Sequence, residues 1–124
     1  MGHIKLKVDI SPPEGGEGKE AVALVDIGAT LTVLPKTLAQ ELNLPRIGTS
    51  KVRTGAGILE LERARCILRI EGKEIMQDVL VSDIIDKVLI GVVTLESLGL
   101  EVDPVTERIK DCLLYTSPSP RDRG

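Results

Sequence analysis

The stretch ALVDIGATLTVLP, Ala23 to Pro35, sets one carboxylate, Asp26, between two runs of Val, Leu and Ile. A charged group in such a setting costs free energy unless it is hydrogen-bonded or used in chemistry. Ala21 to Val25 is a continuous apolar run, the pattern of a fully buried strand, and LTVLP after the loop resumes as strand. Asp26 is therefore expected in a loop at the end of the Ala21 to Val25 strand, with Gly28 turning the chain. Taken alone, an Asp-x-Gly has a plain structural explanation, because the carboxylate can accept backbone N–H groups of its own turn.

On either side of this stretch the pattern is that of short strands. Ile4 to Ile10, IKLKVDI, alternates strictly and reads as a half-buried strand, followed by a breaker cluster from Ser11 to Glu20. KTLAQELNL reads as a short helix, with Pro35 ahead of it, Leu38 and Leu42 on one face and Asn43 at its end. KVRTGAGILELERARCILRI reads as two strands around Thr54 to Gly57, the second too long to lie flat and so bending into the body. Glu71 to Lys73 is a hairpin turn, EIMQDVLVSD alternates again, and KVLIG is a buried strand ending at Gly91. VTLESLGL is a second short helix stopped by Gly99, and LEVDPVTERIK closes as a hairpin over Asp103-Pro104. The sum is a mainly β domain with one or two short helices.

Composition narrows the function classes. With 124 residues the chain is one small domain, and with no Phe or Trp its core rests on Val, Leu and Ile. The net charge is −3 and the basic residues lie scattered among acidic ones, so no nucleic-acid footprint is expected. No apolar run reaches the length of a membrane span and no signal peptide opens the chain, which points to a cytoplasmic protein. Cys66 and Cys112 make no disulfide framework, and His3 stands alone near the terminus, so neither a metal nor a cofactor is expected. The segment CLLYTSPSPRD, Cys112 to Asp122, breaks from the rest and resembles a translated sequencing adapter; a disordered Ser-Pro tail is the alternative. The expected division is a domain over 1–111 and a tail over 112–124 without chemistry.

DIGAT also resembles the phosphate loop of the sugar-kinase and actin-like ATPases. That fold needs two lobes and further phosphate and adenosine motifs, which a chain of this length cannot hold. The order of elements favours another family. ALVDIGATLTVLP, VRTGAGILELE and VLIGVVTLESLGLEVDP together resemble the retroviral-type, or retropepsin-like, aspartic peptidases, specifically the small gag-polyprotein-like aspartyl proteases of prokaryotes. The resemblance spans roughly Lys5 to Lys110. It implies a closed antiparallel barrel of the acid protease fold, a member of clan AA.

It also implies roles. Asp26 is the catalytic carboxylate, and Ile27, Gly28, Ala29 and Thr30 complete the active-site loop, with Ala29 and Thr30 on the floor beneath the substrate backbone. Thr54, Gly55, Ala56 and Gly57 match the flap, a hairpin that closes over the peptide, and Ile90-Gly91 the second motif packing beneath the loop. Val81 and Ile84 are candidate subsite walls. Hydrolysis without a covalent intermediate needs one carboxylate as base and one as acid, sharing a proton. One Asp-x-Gly-Ala per chain leaves the second Asp to another copy, hence a C2 homodimer acting on a peptide or protein substrate.

Ile27 departs from the pattern, where Thr or Ser follows the Asp and its hydroxyl bonds across the dimer axis. Two readings stay open: an aspartic endopeptidase in which paired Ile27 side chains replace a polar grip with an apolar one, or a catalytically impaired dimerisation or peptide-binding module.

Overall fold

The computed structural model describes residues 4–26, 28–103, 105–106 and 108–111. Among the described residues nine strands and two helices follow in the order β1 (Ile4–Ser11), β2 (Lys19–Val25), β3 (Val33–Pro35), α1 (Lys36–Glu41), β4 (Arg46–Thr54), β5 (Gly57–Ile70), β6 (Lys73–Ser82), β7 (Val88–Ile90), α2 (Val92–Ser97), β8 (Leu100–Asp103) and β9 (Arg108–Asp111). The main sheet runs β1-β2-β7-β3-β6-β5-β4, and a further pairing of β1 with β5 closes it into a six-strand barrel. β1 does both jobs: Ile4 to Ile10 face β2, and Asp9 to Ser11 face Arg69 to Ile67 of β5. Two ladders are parallel, β2 with β7 and β3 with β6; the others are antiparallel. β8 and β9 form a separate hairpin.

The barrel interior is aliphatic. Val8, Ile10, Ala23, Val25, Leu34, Ala64, Cys66, Leu68, Ile70, Val79, Val88 and Ile90 meet there, joined by Ala39, Leu42, Leu95 and Leu98 from the helices and their ends. Burying a Val, Leu or Ile side chain of this kind contributes about 1.5–3 kcal/mol. Alternation decides which residue goes inside. β2 is not fully buried: Ala23 and Val25 point into the core, whereas Val22 is 55% exposed. A barrel strand has an inner and an outer face, and an apolar residue of the run falls on the outer one.

The turns are set by local chemistry. Glu71 (φ 54°) and Gly72 (φ 77°) both adopt left-handed backbone, the geometry of a two-residue hairpin whose twist matches its strands. α1 ends with Asn43 at φ 51°; Asn43 N–H donates to Gln40 O and Leu44 N–H to Ala39 O, both at 3.1 Å, so orphan carbonyls are satisfied in a Schellman arrangement. Among the described residues no helix is long and apolar enough to cross a membrane.

Candidate active site

Asp26 lies just past β2, half-buried. Its N–H donates to Ile90 O at 3.0 Å, extending the parallel β2–β7 ladder by one bond. The chain then turns. Gly28 N–H donates to Asp26 Oδ1 at 3.0 Å and Ala29 N–H to Asp26 O at 3.0 Å, so the loop closes on the residue that begins it. A Cβ at Gly28 would sit 3.3 Å from Asp26 Oδ1, tight against the carboxylate. Asp26 Oδ2 has no hydrogen-bond partner among the described residues.

Beneath the loop sits the start of α2. A helix leaves its first N–H groups without intrahelical partners. Here Gly91 is the N-cap and no side chain caps the helix. The loop supplies the acceptors: Val92 N–H donates to Ala29 O at 3.0 Å and Val93 N–H to Thr30 O at 3.2 Å. The two segments approach so closely that a Cβ at Gly91 would lie 2.5 Å from Thr30 O and 2.6 Å from Leu31 C. Only glycine fits there.

A buried polar chain locks this contact. Gly91 N–H donates to Thr32 Oγ1 at 3.1 Å, Thr32 Oγ1 and Thr94 Oγ1 lie 2.6 Å apart, and Thr94 Oγ1 donates to Gln77 Oε1 at 2.5 Å. Because the Thr94 proton goes to Gln77, the Thr32 hydroxyl is the donor to Thr94, and every bond runs the same way, from Gly91 to Gln77. Thr32 and Thr94 are each 1% exposed, and bonds in such a chain polarise one another. Thr32 O in turn accepts Leu80 N–H at 2.9 Å, tying the loop to β6.

The segment expected to be the flap is the hairpin between β4 and β5. Thr54 pairs with Gly57 across Gly55-Ala56, and the ladder runs down through Arg53 with Ile58 and Val52 with Leu59. Gly57 has φ +122°, a backbone that other residues rarely adopt. Ile58 is 64% exposed and Leu59 is also exposed.

The sequence-derived candidates thus fall into two groups. Asp26, Gly28, Ala29, Thr30, Ile90 and Gly91 come together through the hydrogen bonds above, while Gly55, Ala56 and Gly57 form the turn of a separate hairpin. Ile27 lies outside the described residues, as do Pro104, Cys112 and the rest of the tail. Val81 is buried in the core cluster and Ile84 is exposed. Sequence reasoning misses Thr32, Thr94 and Gln77. A hydroxyl residue inside LTVLP is the visible signal, but nothing in the sequence pairs positions so far apart. No group of His, Cys, Asp or Glu among the described residues is arranged to hold a metal.

The comparisons with known proteins agree with this architecture. A family model described as aspartyl protease matches residues 14–102. Among solved structures, EIAV protease in complex with the inhibitor HBY-793 is similar at TM-score 0.67 and 21% identity, covering 79% of this chain and 89% of that one. A retropepsin-like aspartic protease from Rickettsia conorii is similar at TM-score 0.60 and 24% identity, covering 82% and 77% respectively. The retroviral protease-like domain of Ddi1 from Leishmania major follows at 0.59 and 19%, covering 86% of each chain. No curated protein matches by sequence. With the family model spanning most of its length and the barrel matching these structures, the chain belongs to the aspartyl protease family and has the retropepsin-like fold.

Proposed function

We propose that the chain is an aspartic endopeptidase that works as a C2 homodimer, each protomer contributing Asp26 to one shared pair of carboxylates. The observation that carries this reading is the mounting of Asp26: one carboxylate oxygen is held by Gly28 N–H while the other has no partner among the described residues, on a loop bonded at both ends. A base must be held in place for rate, since small misplacements are costly. In the pair, the ionised carboxylate takes a proton from water, the water oxygen attacks the peptide carbonyl, and the protonated carboxyl hands its proton to the leaving nitrogen. Repulsion between the two groups keeps one proton on the pair over a range of pH, and they titrate as a unit. Thr54 to Gly57 act as the flap, and closure over the peptide excludes water. Peptide or protein is the substrate, and neither metal nor cofactor takes part.

The alternative, an impaired dimerisation or peptide-binding module, is favoured by Ile27, which has no hydroxyl to bridge the axis. Two variants separate the readings. Asp26→Asn abolishes cleavage of a peptide library, because a neutral amide cannot activate water. Ile27→Thr restores a hydroxyl and raises the rate about tenfold, the equivalent of about 1.4 kcal/mol in the transition state. Cleavage that survives Asp26→Asn removes the endopeptidase reading. So does the absence of both cleavage and statin-type inhibitor binding in the unmodified protein and the Ile27→Thr variant alike.

A further inference from the structure

Beyond Thr30 the active-loop segment continues into Leu31, which is 42% exposed although it is a leucine. Leu31 forms one wall of a groove of about 670 Å³, completed by Ser50 of the flap arm β4, Arg63 and Arg65 of β5, and Met76 to Leu80 of β6. The groove therefore touches the active loop at one side and the flap strand at another. It also shares Gln77 with the polar chain that locks the loop.

Arg63 Nη2 donates to Asp78 Oδ2 at 2.7 Å and Arg65 Nε to Asp78 Oδ1 at 2.9 Å. Two guanidinium groups thus converge on one carboxylate, and among the described residues Asp78 is the only acidic one in the lining. The local balance is positive on a chain whose net charge is −3. Arg65, and then Arg63, hold the Asp78 carboxyl below the usual carboxylate range, against the opposing effect of its partial burial. Asp78 stays ionised, and one carboxylate cannot saturate two guanidinium groups with five N–H donors each. Among the described residues each makes one side-chain hydrogen bond, and Arg63 and Arg65 keep side-chain exposures of 39% and 47%. Arginine forks suit a second carboxylate. Beside them lies apolar surface, with Leu31 and the 52% exposed Met76.

We infer that this groove is a docking subsite for an acidic side chain of an extended peptide, placed away from the scissile bond, with Arg63 and Arg65 as the specificity-determining residues. The inference rests on the endopeptidase reading for its substrate, but not for its binding chemistry. Charge complementarity selects the occupant: a Glu or Asp flanked by an apolar residue, the former meeting the guanidinium donors and the latter packing on Leu31 and Met76.

The test uses two labelled extended peptides that differ only in one distal residue, Glu or Gln, and measures their affinity for the Asp26→Asn protein and their cleavage by the unmodified protein. The Glu peptide is expected to bind at least about tenfold tighter at low salt, with the difference shrinking as salt rises. The Arg63→Gln, Arg65→Gln double variant should bind both peptides equally. Asp78→Asn removes the competing carboxylate and should increase the preference for Glu, so the prediction can be read even if the double variant fails to fold. Equal affinity of the two peptides, or a preference for Glu that survives the double variant, overturns the subsite. Cleavage of both peptides at equal rates and equal affinities sinks the subsite while leaving the endopeptidase. Arginine-dependent binding of the Glu peptide without cleavage by unmodified or Ile27→Thr protein does the reverse.

Discussion

The Asp26 loop and the hairpin proposed as the flap are both turns that follow a strand, yet they are held in opposite ways. Gly28, Ala29, Thr30 and Thr32 give and receive bonds with Asp26, Gly91, Val92, Val93, Thr94 and Leu80, and Thr32 and Thr94 are buried. The flap end of β5, Gly57 to Glu60, is exposed at every residue, and its hairpin pairs only with β4 until Glu62 meets Val81 of β6. Position is over-determined by buried hydroxyls in one region and rests on an exposed hairpin in the other. The difference fits the proposed roles: a carboxylate proposed to act on water needs a fixed place, and a hairpin proposed as a cover needs a low cost of opening.

The comparison breaks first at Gly91. Gly91→Ala puts a methyl group into the backbone of Thr30 and Leu31, and we expect a loss of about 3 kcal/mol or more, read as a fall in the urea midpoint. A neutral result would mean that loop and helix separate easily, and the rigid half of the comparison would be gone.

Thr32→Val keeps the shape and deletes the hydroxyl, leaving the buried Gly91 N–H without its acceptor. The expected cost is about 1–3 kcal/mol, accompanied by loss of cleavage out of proportion to stability. Restoration by Thr32→Ser, which returns the hydroxyl, distinguishes the hydrogen bond from packing.

The two ends of β5 sharpen the contrast through pH. Cys66, at the core end, is fully buried, and burial, helped by the negative charge of Asp78, pushes its thiol from an ordinary 9.0 up to about 12. The unfolded chain loses this proton first, so the contribution to stability is intact below pH 9 and is lost as pH rises from 9 toward 12. The slope is about 1.4 kcal/mol per pH unit at most. Cys66→Ala should flatten this part of the alkaline unfolding curve. A native Cys66 that reacts with a thiol reagent at neutral pH as fast as a free thiol would contradict the burial.

At the flap end the smallest effect is expected. Ile58→Ser should change stability by no more than about 0.5 kcal/mol, since the side chain is 64% exposed, but should raise KM for peptide. A large stability loss would show that the arm is braced in the free protomer.

Alternation locates β1 and turn chemistry the tight turn at Glu71-Gly72, because period-two patterning and turn chemistry are local. It goes astray at β2, where a continuous apolar run spells full burial and the outer face of the barrel leaves Val22 in solvent. Asp26 and Gly28 are legible as a loop because an acid-turn-glycine pattern inside an apolar run has few explanations. The hold on that loop is not. Thr32, Gln77 and Thr94 sit on different elements, and the crossover that sets β7 between β2 and β3 is what brings Gly91 under the loop. The groove of Arg63, Arg65 and Asp78 likewise depends on the register of β5 against β6, which opposes Arg65 to Asp78. Local sequence thus determined the strands, the turns and the place of Asp26 in a loop after a strand. Which buried hydroxyls lock it, and which charges line the neighbouring groove, were decided by long-range pairing.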